Sequence, residues 1–299
     1  MIKNIHIHLF NFYCTERLFN KVTKEDYIKK RMSESDQYSK GYVAFLDLMG
    51  FKEMCRNYPC QEIKSIINDI GLLEIDFREA KAIPLSEEIV KRTNIKLVSD
   101  SIIITTPNDD YGLLCIIYYC AFLHIRLLKY RTLLRGGIAF GEYYCDDNTV
   151  FGPALAEAHD IESNISVYPR VVVSDYIVAH LKETKCFEGN NAYALVEKYK
   201  KPTSTNSIST EIRTLTEFAE DGCLYVDYFN AIEKMLLRRN EEKQKAIESF
   251  IREMLESCKT KPKVLSKYKW LNEYYTRKIL KTTSMEEHLK KEKLFESEN

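Results

Sequence analysis

The segment Tyr42–Leu48, YVAFLDL, constrains this chain more than any other. It is apolar at nearly every position, which fits a strand buried on both faces rather than an alternating, half-exposed one. Asp47 is the exception, and Gly50 follows as a turn, so the strand delivers one carboxylate to its end. Residues 95–106, IKLVSDSIIITT, are two β-branched runs joined at Ser99-Asp100, which predicts a tight hairpin with Asp100 at its tip. A helix is expected from about Lys52 and another around Pro84–Arg92. The apolar run from Tyr111 to Tyr130 is too long for one strand and predicts a buried helix. In LLRGGIAFGEYY the paired glycines Gly136 and Gly137 permit a bend or the close approach of another backbone. TVFG then leads into a helix, PALAEAHDIES, with Pro153 in its first turn. A strand and a short helix follow in RVVVSDYIVAHL.

With 299 residues, the chain is long enough for one large or two modest domains. Its 45% hydrophobic content excludes disorder of the whole chain, and 44 Lys+Arg balance 44 Asp+Glu. Zero net charge supplies no field for phosphate backbones, so nucleic acid is not the expected partner and a small substrate is. Nine scattered cysteines with no CxxC pair argue against zinc and for a reducing, cytoplasmic setting. The apolar start, interrupted by His6 and His8, fits a signal peptide poorly. No stretch approaches the ~18 apolar residues of a membrane span. Residues 1–40 form an N-terminal segment and 41–185 the main domain. Residues 186–299 form a mainly helical C-terminal extension packed on or beside it. That extension is expected to hold an exposed loop (KKPTSTNSIST), a strand-like piece (CLYVDYF) and an amphipathic helix over Asn230–Cys258. A last helix places Trp270 and Tyr274 on one face.

Two carboxylates at the ends of neighbouring strands, Asp47 and Asp100, can share divalent cations. Magnesium takes one or two carboxylates and leaves its other positions to water and substrate phosphates, so this sparse set suits a metal nucleotide. Other chemistry has less support. His124 and His159 lack a ligand partner one helical turn away and are expected to be satisfied or exposed. Ser99 and Ser101 have no His base. There is no GxxxxGK[ST]. The expected fold class is α+β: a mixed, mainly antiparallel sheet with flanking helices on one face, plus the helical extension.

Phe45, Asp47, Gly50 and Phe51, then Lys96 and Asp100, then LRGGIAFG, then FGPALAEA and VVVS, stand in the order of the landmarks of the class III nucleotidyl cyclase domain, which this region resembles. Within that superfamily, FLDLMGFK, FGPALAEAHDIES, DGCLYVDYFN and KYKWLNEYY are most similar to the pyrimidine cyclases of bacterial Pycsar anti-phage systems. The resemblance implies a ferredoxin-like cyclase fold and conversion of CTP or UTP to 3′,5′-cyclic CMP or UMP plus pyrophosphate. It also implies two Mn2+ or Mg2+ ions, a homodimer with sites at its interface, and a separate effector that answers the cyclic nucleotide. Asp47 and Asp100 would be the metal carboxylates, and Leu48 would lend its main-chain carbonyl. Phe45 to Phe51, with Gly50, would cradle the triphosphate. Lys96 and Thr149 would face the base, at places where adenylate cyclases read adenine. Familiar class III cyclases carry an Asn four and an Arg eight residues after the FG turn, where this sequence has Ala156 and Asp160. A replacement cation is then required, with Arg135 and Arg170 as candidates. Adenylate cyclase activity and an inactive nucleotide sensor are the alternatives.

Overall fold

The computed structural model describes residues 37–73, 91–109, 111–186, 205–232 and 241–280. Residues 1–36 and all but the last two of the helix expected at Pro84–Arg92 lie outside them. Strand β1 (Ser39–Met49) is followed by helices α1 (Phe51–Asn57) and α2 (Cys60–Gly71). Next come β2 (Asn94–Val98), β3 (Ser101–Pro107), α3 (Gly112–Leu128), β4 (Leu133–Cys145), β5 (Val150–Phe151) and α4 (Pro153–Asn164). Then follow β6 (Val171–Val173), α5 (Asp175–Glu183), α6 (Thr205–Thr214), β7 (Thr216–Phe218) and β8 (Leu224–Val226). The described chain ends with α7 (Tyr228–Ile232), α8 (Glu241–Ser257), α9 (Pro262–Tyr275) and a π-helical turn at Thr276–Leu280. The fold is α+β, one mixed and mainly antiparallel sheet in the order β2-β3-β1-β4-β6-β8-β7, with β5 paired to β4.

β1 is central and pairs antiparallel with β3 and β4, while β4 and β6 run parallel. Successive β1 side chains alternate between two apolar layers, which explains the unbroken apolar run. Ala44, Leu46 and Leu48 join the larger core with α3, whose buried residues include Leu114, Ile117, Tyr119 and Ala121. Val43, with Phe45 beside it, joins a smaller layer containing Tyr143 and Ala154. α4 covers this second face, so helices flank both faces rather than one.

The glycine pair is the reason. A Cβ on Gly137 would stand 2.4 Å from the Ala158 carbonyl oxygen and 2.6 Å from Ile161 Cβ, so bare backbone is what lets α4 lie on β4. Gly137→Ala is expected to destabilise the fold by about 2 kcal/mol through overpacking. Urea unfolding checks this, and an unchanged midpoint would contradict the packing described.

The sheet continues past residue 185, because the antiparallel pair β7–β8 attaches to β6 through Val172 and Tyr225. β8 lies in the expected strand-like piece. The exposed loop expected over Lys200–Thr210 is instead helical from Thr205, with Ile208 and Ile212 buried one turn apart. α9 closes this part of the structure. Trp270 and Tyr274 share a face, with ring centroids 5.1 Å apart, and the Tyr274 hydroxyl donates to Asp227 Oδ1 at 2.5 Å.

His124 is neither hydrogen-bonded nor exposed. It is wholly buried on α3, stacks on Tyr228 at 3.7 Å, and neither ring nitrogen has a hydrogen-bond partner among the described residues. Burial pushes its pKa down to about 3, so it is neutral.

Candidate functional site

The β2–β3 hairpin turns at Ser99-Asp100, with Val98 paired to Ser101. Ser99 is left-handed, with a φ of 60°, a conformation that strains a non-glycine residue and sits beside an acid of interest. On β1, Asp47 pairs with Ser101, and the Leu48 N–H donates to the Asp100 carbonyl at 2.9 Å. The two acids therefore belong to adjacent chain segments at one end of the sheet, 53 residues apart in sequence. In an extended strand the N–H and C=O of one residue point to the same side, so the Leu48 carbonyl is also turned toward the hairpin tip. Two carboxylates and one carbonyl are hard oxygen donors, few in number, which fits a magnesium- or manganese-type ion completed by substrate and water. Among the described residues no group of three or more His, Cys, Asp or Glu side chains could hold a metal.

Asp47 shares its face with Val43 and Phe45, toward α4. It pairs across β1–β4 with Arg135, whose Nε donates to Asp47 Oδ2 at 3.1 Å. The same guanidinium reaches Glu162 of α4, with Nη1 to its carbonyl at 3.3 Å and Nη2 to Oε1 at 2.5 Å. Glu162 is only 4% exposed, whereas Asp47 and Arg135 are each 24% exposed. One arginine thus bridges a buried acid and a half-buried acid. Such an arrangement fixes the guanidinium and leaves part of Asp47 open to solvent.

A second cation joins from the far end of the chain. Lys267 of α9 is half-buried and lies within electrostatic reach of Arg135, Asp47 and Glu162. Burial and the like charge of Arg135 hold its ammonium below the usual lysine range, against the attraction of the two acids.

The other sequence candidates fall into distinct places. Gly50 is left-handed, with a φ of 85°, and a Cβ there would meet nothing within 4 Å, so glycine serves the turn and leaves open space. It precedes α1, which no side chain caps, and its carbonyl accepts the N–H groups of Glu53 and Met54. Phe51 packs into the larger core and pins that turn. The Phe45 ring meets the edge of His159, centroids 4.9 Å apart.

Lys96 pairs with Ile103, which pairs with Phe45, so Lys96 lies on the Asp47 face of the sheet. It is within electrostatic reach of Asp146, whose Oδ1 accepts the N–H groups of Asn148 at 2.8 Å and Thr149 at 2.7 Å. Those backbone bonds, first Asn148 and then Thr149, hold Asp146 below the usual carboxylate range. Lys96 and Thr149 therefore approach the same β4–β5 turn, with Asp146 between them.

Arg170 is engaged elsewhere. It is 1% exposed, donates through both terminal nitrogens to Asp221, and lies against the faces of Tyr168 and Tyr225. Its charge is met by the β7–β8 turn, whereas Arg135 stands on Asp47 itself. A surface depression along α2, lined by Gln61, Lys64, Asn68 and Asp69, contains neither acid.

Glu162, Asp146 and Lys267 are members of these clusters that sequence reasoning missed. For Glu162 a signal existed, since Ala154, Ala158, Ile161 and Glu162 fall on one buried helical stripe and place a charge where apolar residues belong. Asp146 carries no signal beyond that of an ordinary turn aspartate. Nothing local marks Lys267.

No protein-family model matches the sequence, and no curated protein matches it significantly. Among solved structures, the guanylyl cyclase Cya2 is 14% identical over 47% of this chain and 78% of its own, with a TM-score of 0.34. The dimeric guanylyl cyclase domain of the RhoGC fusion protein from the aquatic fungus Blastocladiella emersonii is also 14% identical, over 51% of this chain and 88% of its own, with a TM-score of 0.40. A bacterial light-regulated adenylyl cyclase gives 14% identity over 46% of this chain and 77% of its own, at 0.34. No helix among the described residues is long and apolar enough to cross a membrane.

Proposed function

We propose that this protein is a metal-dependent nucleotide cyclase that converts CTP or UTP into the 3′,5′-cyclic monophosphate and pyrophosphate. One observation carries the proposal: the chain segments that bear Asp47 and Asp100 touch where β1 meets the β2–β3 hairpin, through the Leu48 to Asp100 backbone bond. Asp47, Asp100 and the Leu48 carbonyl would hold the Mn2+ or Mg2+ ions. When bound, the metal supplies neutralisation of triphosphate charge and a more acidic ribose hydroxyl.

The chain's own residues then have defined tasks. The open turn at Gly50 leaves room for phosphate oxygens beside backbone N–H groups. Arg135, steadied by Glu162, offers a fixed positive charge next to Asp47 for the charge that develops as the 3′-oxygen attacks the α-phosphorus and pyrophosphate departs. This makes Arg135 the better candidate for the cation that Ala156 and Asp160 do not provide, since Arg170 is already neutralised by Asp221. Lys96, with Thr149 and Asp146 beside it, would contact the base.

The pyrimidine choice and the role as an anti-phage second-messenger source for a separate effector follow the resemblance of FLDLMGFK and FGPALAEAHDIES. So does a homodimer with shared sites. Lys96 and Thr149, each related to Asp146, favour adenylate cyclase as the second reading.

The test is incubation of the full chain with ATP, GTP, CTP and UTP in manganese, with products identified by mass. Cyclic CMP or cyclic UMP is expected. Cyclic AMP alone would replace the base assignment, and nucleotide binding without any cyclic product would replace the enzyme with a sensor.

A further inference from the structure

We infer that Arg135 and the divalent ion compete for Asp47, and that Glu162 is the positioning residue that keeps the guanidinium when the ion takes that carboxylate. The inference rests on the metal reading above and deepens it, because it makes the Arg135–Glu162 pair the element that sets metal affinity.

The fork of Arg135 is held unequally. Its Nε donates to Asp47 Oδ2 at 3.1 Å, whereas Nη1 donates to the Glu162 carbonyl at 3.3 Å and Nη2 forms an ion pair with Glu162 Oε1 at 2.5 Å. Two nitrogens therefore grip α4, and one grips β1. Glu162 is also far more buried than Asp47, so the ion pair on α4 lies in the poorer dielectric and the bond to Asp47 is the more screened. The bond to Asp47 is the easier one to give up. Glu162 is itself held in place, since its Oε2 accepts the Ser163 hydroxyl at 2.8 Å. Ala158 and Ile161 of α4 lie against Gly137, two residues along β4 from Arg135, so the strand and helix that carry the pair form one packed unit.

Charge supplies the second step. A divalent ion and a guanidinium seek the lone pairs of the same carboxylate, and they repel each other. A buried arginine that loses its only acid is left as an uncompensated charge, at high cost. With Glu162 ionised, Arg135 retains a full counter-charge after Asp47 is taken. With Glu162 neutral, Asp47 is the acid left to it among these contacts, and the ion has to displace a tighter partner. Neutralising Glu162 therefore weakens metal binding, and removing Arg135 as well reverses the loss.

The test compares the full-length chain as wild type, Glu162→Gln, the double variant Arg135→Gln/Glu162→Gln, and Asp47→Asn. The probe is Mn2+ alone, with affinity read by spin resonance, and the binding lost in Asp47→Asn identifies the ion held at this carboxylate. Glu162→Gln is expected to bind that ion about 10-fold more weakly. The double variant removes one charge of each sign together with the competitor, and should bind it at least as tightly as wild type. A pair that merely ties β4 to α4 would not give this reversal, because its loss would weaken both variants or neither.

A measurement on the wild-type chain accompanies it. With [15N]arginine labelling, bound Mg2+ should move the Arg135 Nε–H resonance, assigned by its absence from Arg135→Lys, and speed its exchange with water as the bond to Asp47 gives way. Equal Mn2+ affinity in wild type and Glu162→Gln, a double variant as weak as the single one, or an Nε–H resonance unmoved by bound Mg2+ overturns this inference and leaves the metal site standing. Wild type and Asp47→Asn binding Mn2+ alike would overturn the metal reading, and this inference with it.

Discussion

Asp47→Asn and Asp100→Asn are each expected to reduce cyclic nucleotide formation by at least about 1,000-fold, with little loss of fold. The size follows from what two metal carboxylates do in a phosphoryl transfer, where several kcal/mol of charge stabilisation come from the ions they hold. Fold is spared for different reasons at the two positions. Asp47 is partly open, and its partner Arg135 keeps Glu162 when Asp47 is neutralised. Asp100 contributes its backbone carbonyl to Leu48, and that bond survives any side-chain change. The measurement is product formed per unit time from the preferred triphosphate, alongside Mn2+ binding followed by its spin resonance. Either variant retaining turnover within about tenfold of wild type would remove the acid pair from the mechanism. Glu162→Gln is a useful companion, because it loosens Arg135 without touching either metal carboxylate.

The second large effect concerns acid stability. His124 has a pKa of about 3 in the folded chain against an ordinary 6.5, and burial is the cause. The sign follows directly. Below 6.5 the unfolded chain takes up a proton that the folded chain refuses, so stability falls as the pH drops from about 6.5 toward 3. At pH 4.5 the loss from this one group is about 3 kcal/mol. Other groups titrate in the same range, among them Asp221, Glu217 and Asp69, whose partners hold them below the usual carboxylate values. The informative quantity is therefore the difference between wild type and His124→Leu. Urea unfolding at pH 7 and pH 4.5 should show the variant losing about 3 kcal/mol less across that interval. Equal losses in the two proteins would mean that His124 gains a proton in the folded state.

The central strand, the hairpin and the long buried helix were legible because each is written locally: an unbroken apolar run, two β-branched runs around Ser99-Asp100, and a run too long for a strand. That the segments bearing Asp47 and Asp100 adjoin was legible for the same reason, since both residues sit at strand ends and a short list of topologies makes those ends neighbours. α6 was misread because Thr, Ser and Asn dominate its composition and hide Ile208 and Ile212, one helical turn apart. β7 has only three residues, too few for any period to emerge. The second helical layer follows from Gly137, whose missing side chain was noted but whose partner could not be. Arg170 and Lys267 are the clearest cases of information absent from local sequence. Asp221 lies 51 residues from Arg170, and Lys267 lies 220 residues from Asp47, so only the folded chain reveals which charges meet.

The attachment of β7–β8 to β6 sets where the chain can be shortened. Cutting after α5, where the texture of the sequence changes, would turn β6 into a raw border with unpaired amides and carbonyls, an invitation to self-association. It would also remove Asp221, the counter-ion of Arg170, together with Tyr225, one of the two rings packed on its guanidinium. The smallest soluble piece therefore reaches beyond Val226, and a fragment trimmed at residue 185 should precipitate rather than report on activity.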